Sequence, residues 1–160
     1  MPFTPPAFAN TNTLLVLIPV SGQTAPVLQK YAVRGATQTL KQIGDSSNVR
    51  RTVDGRLVDL TPPWFKQYAS TVTCRDINSP CLDDAWRGVI CEVHCAVELS
   101  YISGGSPTRP EVSGSSRIDE LGITYYRPIL MMMVLDIEDS FAEWESEYNW
   151  KIELQEVALP

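Results

Sequence analysis

Between Val89 and Leu99 every second residue falls on the same side. Val89, Cys91, Val93, Cys95, Val97 and Leu99 line one face, and Ile90, Glu92, His94, Ala96 and Glu98 line the other. A period of two describes a half-buried strand and scatters these side chains around any helix. Gln67–Arg75 repeats the pattern with Tyr68, Ser70, Val72 and Cys74 on one face, in a stretch rich in the strand formers Thr, Val and Tyr. Trp150, Ile152 and Leu154 alternate with Lys151, Glu153 and Gln155 in a last strand. Leu14–Ile18 reads as a short buried strand ended by Pro19 and the Ser21-Gly22 turn. Ile123–Tyr126 and Ile129–Ile137 flank Pro128, which sets that junction at an edge or a bend. Twelve prolines and nine glycines cut the remainder into pieces too short for helices. The spacing of Phe141 and Trp144 suggests one helical turn in Ser140–Glu147. About eight strands with little helix predict an all-β protein, an antiparallel β-sandwich.

The 160 residues make one domain. Residues 1–12, rich in Pro, Asn and Thr, form an extended N-terminal arm, and residues 13–160 the single β-sandwich domain. Within it, 103–116 is a Gly/Ser/Pro-rich flexible loop, either loose or ordered by contacts. Residues 48–60 form a hairpin, since Asp54-Gly55 supplies the positive φ angles of a two-residue type I′ turn. That register sets Arg50 opposite Asp59 and Arg51 opposite Val58, with arginine on both faces. Such a hairpin suits an ordinary sheet edge or a projection that pairs with another subunit. Trp86, in the link Asp76–Gly88, is expected to anchor that segment. The longest apolar runs, Leu14–Val20 and Ile129–Leu135, fall short of a membrane span. No basic region opens the chain, so a secretory signal is not expected.

The net charge of −6 argues against a protein that holds nucleic acid through its phosphates. Nor is the charge spread evenly. Asp136–Pro160 holds eight acids and one base, whereas the other 135 residues hold 11 acids and 12 bases. Arg34, Lys41, Arg50, Arg51 and Arg56 form a basic stretch in the N-terminal half. The plainer reading is a solvated strand face with an acidic loop. The sharper one sets the acidic end against the basic patch of another subunit, where complementary charge fixes register and orientation.

Catalytic and metal chemistry find little support. Cys74, Cys81, Cys91 and Cys95 lie within 22 residues, but no C-x2-C pair occurs. In a strand, Cys91 and Cys95 stand ~13 Å apart, too far to share a zinc ion or a disulfide. Cys74 would face Cys91 or Cys95 only if their strands paired, so reduced buried thiols are expected. His94, the only histidine, lies opposite the cysteines of its strand, beside Glu92. None of the sequence signatures of hydrolases, zincins or nucleotide-binding loops is present. The carboxylates Asp136, Glu138, Asp139, Glu143, Glu145 and Glu147 offer a glycosidase pair no evident cleft. Trp64, Phe65, Trp86, Tyr125, Tyr126, Trp144 and Trp150 suit core and interface anchors better than sugar platforms.

Several segments resemble short virion proteins of tailed bacteriophages. They are Tyr31-Ala-Val-Arg-Gly-Ala-Thr-Gln-Thr-Leu, Arg50-Arg-Thr-Val-Asp-Gly-Arg-Leu-Val-Asp-Leu, Tyr68-Ala-Ser-Thr-Val-Thr-Cys, Val112-Ser-Gly-Ser-Ser-Arg, Tyr126-Arg-Pro-Ile-Leu-Met-Met-Met-Val and Trp150-Lys-Ile-Glu-Leu-Gln-Glu-Val. The resemblance is one of style and order across residues 31–157, and its last two segments are similar to strands of small tail components. It implies a non-enzymatic tail tube or baseplate subunit that assembles into rings with itself and with neighbouring virion proteins. It implies no cofactor, membrane or sequence-specific nucleic acid, and assembly in the bacterial cytoplasm, where thiols stay reduced. Interface candidates are Phe3 and Phe8 in the arm, Arg50, Arg51 and Arg56 in the hairpin, and Trp144 in the acidic segment. The rivals are a capsid decoration or cement protein, a β-sandwich glycan-binding module, and a hydrolase using carboxylates such as Asp136 or Glu143.

Overall fold

A computed structural model describes residues 15–20, 28, 32–43, 48–62, 65–83 and 85–157. Among them are eleven strands and no helix: β1 Val16–Pro19, β2 Thr37–Ile43, β3 Val49–Arg51, β4 Leu57–Asp59, β5 Gln67–Asp76, β6 Ile90–His94, β7 Leu99–Ile102, β8 Arg117–Ile118, β9 Ile123–Tyr126, β10 Ile129–Ala142 and β11 Glu147–Glu156. Every pairing is antiparallel. Six strands in the order β1-β6-β10-β11-β5-β2 make a sheet curled into a half-barrel. Next to it lies a three-stranded sheet, β7-β9-β8, while β3 and β4 pair with each other alone. The all-β, antiparallel, sandwich-like architecture is the one the alternation predicts.

The concave face of the large sheet holds the core. Val72, Cys74, Cys91, Val93, Leu130, Met132, Val134, Trp150, Ile152 and Leu154 meet there, joined by Leu17 from one edge and Leu40 beside the other. At roughly 1.5–3 kcal/mol for each large aliphatic or aromatic side chain buried, this cluster dominates the stability of the fold. Residues 32–36 cross one end of the half-barrel. Ala32 and Val33 are buried there, and the Ala32 carbonyl accepts a hydrogen bond from Trp150 Nε1 at 2.7 Å. The curl is held by Gln38 on β2. Its Oε1 accepts from the amides of Ala96 (2.7 Å) and Val97 (3.3 Å), and its Nε2 donates to Ser70 Oγ at 3.0 Å.

Two expectations need correction. Val89–Leu99 is not one strand, because β6 ends at His94 and the chain crosses into the small sheet as β7. The partner strand ends at Pro128, which has no N–H to extend the ladder; its carbonyl takes the Cys95 amide at 3.0 Å, and the next two amides turn to Gln38. Ser140–Glu147 is not helical. β10 and β11 run on to the pair Ala142↔Glu147, and Phe141 packs on Tyr148 across the strands with ring centroids 6.4 Å apart. The tip closes with Ser146 at φ 52°. In addition, β2 carries no signal in the sequence, because Thr37–Ile43 is an edge strand, mostly exposed, with no apolar alternation to mark it.

One irregularity decides the outer surface. The β10–β11 register shifts between Val134 and Asp136, which is a β-bulge at Leu135. Leu130, Met132 and Val134 point into the core before it; after it, Ile137 packs there instead, and Asp136 turns outward opposite Glu153.

Loop 103–116 is hydrogen-bonded to the body. The Ile129 amide donates to the Pro110 carbonyl at 2.8 Å, and the Val112 amide to that of Arg127 at 2.9 Å. Arg109 Nε donates to Glu156 Oε1 at 2.6 Å and its Nη2 to the Lys66 carbonyl at 2.5 Å, with the guanidinium 5.6 Å from the centre of the Tyr68 ring.

Candidate assembly interface

The hairpin of residues 48–60 forms, but in a different register. Val49 faces Asp59, Arg50 faces Val58 and Arg51 faces Leu57, and the Leu60 amide closes on the Asn48 carbonyl at 2.9 Å. The loop is therefore Val53-Asp54-Gly55, three residues rather than two. Gly55 donates back to the Thr52 carbonyl at 2.8 Å and takes φ +79°, while Asp54 stays at negative φ. This is a type I turn followed by a glycine bulge, where a type I′ turn would need positive φ at both positions. The Thr52 hydroxyl accepts the Arg56 amide at 3.1 Å and holds that geometry.

Both faces of this hairpin are open. Arg51 lies with Val49, Leu57 and Asp59 on one face, and Arg50, Thr52, Arg56 and Val58 occupy the other. Val53 is fully exposed at 106% and Leu57 at 66%, with Leu60 and Phe65 exposed beside them. Among the described residues no carboxylate lies within ion-pair distance of Arg50, Arg51 or Arg56. Arg51 spends one donor on the Gly55 carbonyl at 2.9 Å, inside its own turn. Asp59 is held below the ordinary carboxylate range by the hydroxyl and amide of Thr61, and so stays charged.

The rest of the predicted basic patch does not join it. Arg34 is committed to Asp76, with Nη2–Oδ1 at 2.7 Å, and Lys41 lies on β2 at the sheet edge. Phe3, Phe8 and Trp64 lie outside the described residues.

The acidic segment is the β10–β11 hairpin, and much of its charge is matched within the molecule. Arg87 reaches Asp136 (2.8 Å), Lys151 reaches Glu153 (2.5 Å), Arg109 holds Glu156, and Arg75 clasps Glu145 and Glu147. Arg75, through its hydrogen bond, keeps Glu147 below the usual carboxylate range. Glu138, Asp139 and Glu143 have no cation within ion-pair distance among the described residues, though Asp139 accepts the Tyr148 hydroxyl. Trp144 tops this hairpin, 99% exposed.

Beside the bulge, the loop 79–87 and β10 enclose a groove of about 600 Å³ that no sequence pattern announced. Leu82, Trp86 and Ile137 line it together with Asp83, Asp136 and Asp139. Trp86 is not an anchor: it is 74% exposed. The only hint in the sequence was a tryptophan in a loop that offers it no alternating face to join.

The cysteines are free, with Cys74, Cys91 and Cys95 buried and Cys81 exposed. Cys74 faces Trp150 across β5–β11, so it meets neither Cys91 nor Cys95 across a strand pair. Burial pushes the thiols of Cys91 and Cys95 up to about 12 and about 11, which leaves them inert near neutrality. His94 Nε2 lies 2.8 Å from Glu92 Oε1 on the opposite face. Among the described residues no three His, Cys, Asp or Glu side chains gather as a metal site. No helix there is long and apolar enough to cross a membrane.

Comparison with known proteins identifies no relative: no protein-family model, curated protein or solved structure matches the chain.

Proposed function

We propose that this chain is a non-enzymatic structural subunit of a tailed-bacteriophage virion, a tail tube or baseplate component that assembles into rings with copies of itself. The observation that carries this reading is the β3–β4 hairpin. Among the described residues its three arginines meet no carboxylate and it pairs with no other strand, and it presents a run of exposed aliphatic side chains. Exposed apolar groups clustered on one projection, ringed by charge, are the usual mark of a protein-binding surface. An oppositely charged hairpin capped by an exposed Trp144 stands elsewhere on the same molecule, which makes a second copy a fitting partner. The segments similar to small phage tail proteins supply the virion context.

Light scattering across concentration, with negative-stain electron microscopy of the same fractions, tests this reading. Rings or short stacked tubes are expected. Arg51→Glu and Arg56→Glu alter exposed side chains, so both variants should keep the strand-rich circular dichroism of the parent and yet fail to assemble. A strict monomer at every concentration would count against the ring subunit and favour a decoration protein that binds a preformed head. Normal assembly by both variants would remove the hairpin from the interface.

A further inference from the structure

Resting on that reading of the chain as a self-assembling subunit, we infer that the β3–β4 hairpin of one copy seats in the groove beside Trp86 of the next. The groove matches the hairpin in two independent ways. Its lining is apolar at Leu82, Ile137 and Trp86 and acidic at Asp83, Asp136 and Asp139. The hairpin brings the complement, Val53 and Leu57 as apolar plugs and Arg50, Arg51 and Arg56 as cations. At about 600 Å³ the groove has room for a few side chains of a hairpin tip and not for a whole strand pair. An exposed tryptophan lining such a groove is the residue type on which binding energy concentrates.

Asp136 joins the acidic lining through the bulge at Leu135. Without that extra residue Asp136 would lie in the core register of β10 and Ile137 would face solvent. Arg87 neutralises only part of that lining by pairing with Asp136, so Asp83 and Asp139 remain to meet the incoming arginines. Donor and acceptor are different patches of one surface. The contact is therefore heterologous, head to tail, and such contacts close into a ring when the rotation between copies allows it.

A native thiol makes the contact testable. Cys81 lines the groove and is exposed, whereas the other three cysteines are buried. Val53→Cys places a second accessible thiol at the tip of the hairpin. A short bis-maleimide added to the assembled Val53→Cys protein should join the introduced thiol of one copy to Cys81 of the next, giving a ladder from dimer upwards on a denaturing gel. Val53→Cys combined with Cys81→Ser should give none. Adding Arg51→Glu with Arg56→Glu, or Trp86→Ala, should cut the cross-linked fraction at least tenfold.

Rings that form without the cross-link between hairpin tip and Cys81 would overturn the groove as acceptor and leave self-assembly standing. A chain that stays monomeric and uncross-linked at every concentration would overturn both. A ladder undiminished by the arginine and tryptophan variants would mark random encounters and also sink the proposal. A dimer joined through the introduced thiols of two copies, surviving Cys81→Ser, would replace it with a symmetric hairpin-to-hairpin contact.

Discussion

Asp76 shows how a single side chain is held against its own desolvation. It lies at the end of β5 with its side chain 3% exposed. Burial alone would raise its carboxyl. It accepts bonds from the Arg34 amide (2.9 Å), Arg34 Nη2 (2.7 Å) and the Ile77 amide (2.8 Å), and together these hold it below the ordinary carboxylate range. A carboxyl whose pKa is lower folded than unfolded binds protons more readily in the unfolded chain. Its stabilisation is complete above the unfolded value of about 3.9 and drains away as pH falls through the folded one. Asp76→Asn should therefore cost about 2 kcal/mol at pH 7, the scale of a lost charged hydrogen-bond set. Denaturant titrations from pH 7 to pH 3 should find the variant's acid limb flatter than the parent's. Arg34 is half exposed and can rehydrate, which keeps the cost below that of breaking a fully buried pair. If parent and variant lose stability in parallel as the pH falls, Asp76 is not the group responsible. Nothing local in the sequence ties Arg34 to Asp76, 42 positions away. For that reason Arg34 looked like surface charge.

Among the elements, loop 103–116 rests on a similar clasp. Arg109 links it to Glu156 at the end of β11 and to the Lys66 carbonyl before β5, and Glu156 Oε2 also takes the Tyr68 amide at 2.9 Å. Arg109 and Glu156 are both mostly buried, so their contact is screened less than a surface pair. Arg109→Ala should cost about 2–3 kcal/mol, since the Glu156 carboxylate is left half-buried without its cation. Hydrogen exchange is the sharper readout: amides of 103–116 should exchange markedly faster while those of β10 and β11 stay protected. Unchanged exchange in the loop would show that its backbone bonds to Ile129 and Arg127 suffice. The hairpin of residues 48–60 carries the parallel lesson about register. Asp-Gly suits a two-residue and a three-residue turn alike, and the choice fell to Thr52, whose hydroxyl captures the Arg56 amide. A one-residue slip moved Arg51 from opposite Val58 to opposite Leu57.

For the whole molecule, head-to-tail assembly between unlike patches should respond to salt. The screening length falls from about 10 Å at 0.1 M to about 3 Å at 1 M salt. Two or three partly solvated arginine–carboxylate contacts at up to about 1 kcal/mol each imply an association constant lower by up to roughly a hundredfold at the higher salt. Sedimentation velocity at about 0.1 M and 1 M NaCl would measure it. Association that strengthens with salt would mean that apolar burial governs the contact and the arginines do not. The class of fold is legible in the sequence, because a period of two in β5, β6 and β11 puts apolar side chains on one face and leaves no other way to bury them. The sequence also located the hairpin of residues 48–60 and the exposed Trp144 as surface features. Tertiary structure alone decided where strands stop and which surfaces remain open. Pro128 ends a ladder only because β6 lies beside it, and Gln38 reaches Ala96 only because the sheet curls. Asp136 faces the groove only because a bulge turns it outward next to Arg87, 49 positions away in the chain. Those are contacts between distant segments, and a local pattern of residues carries no record of them.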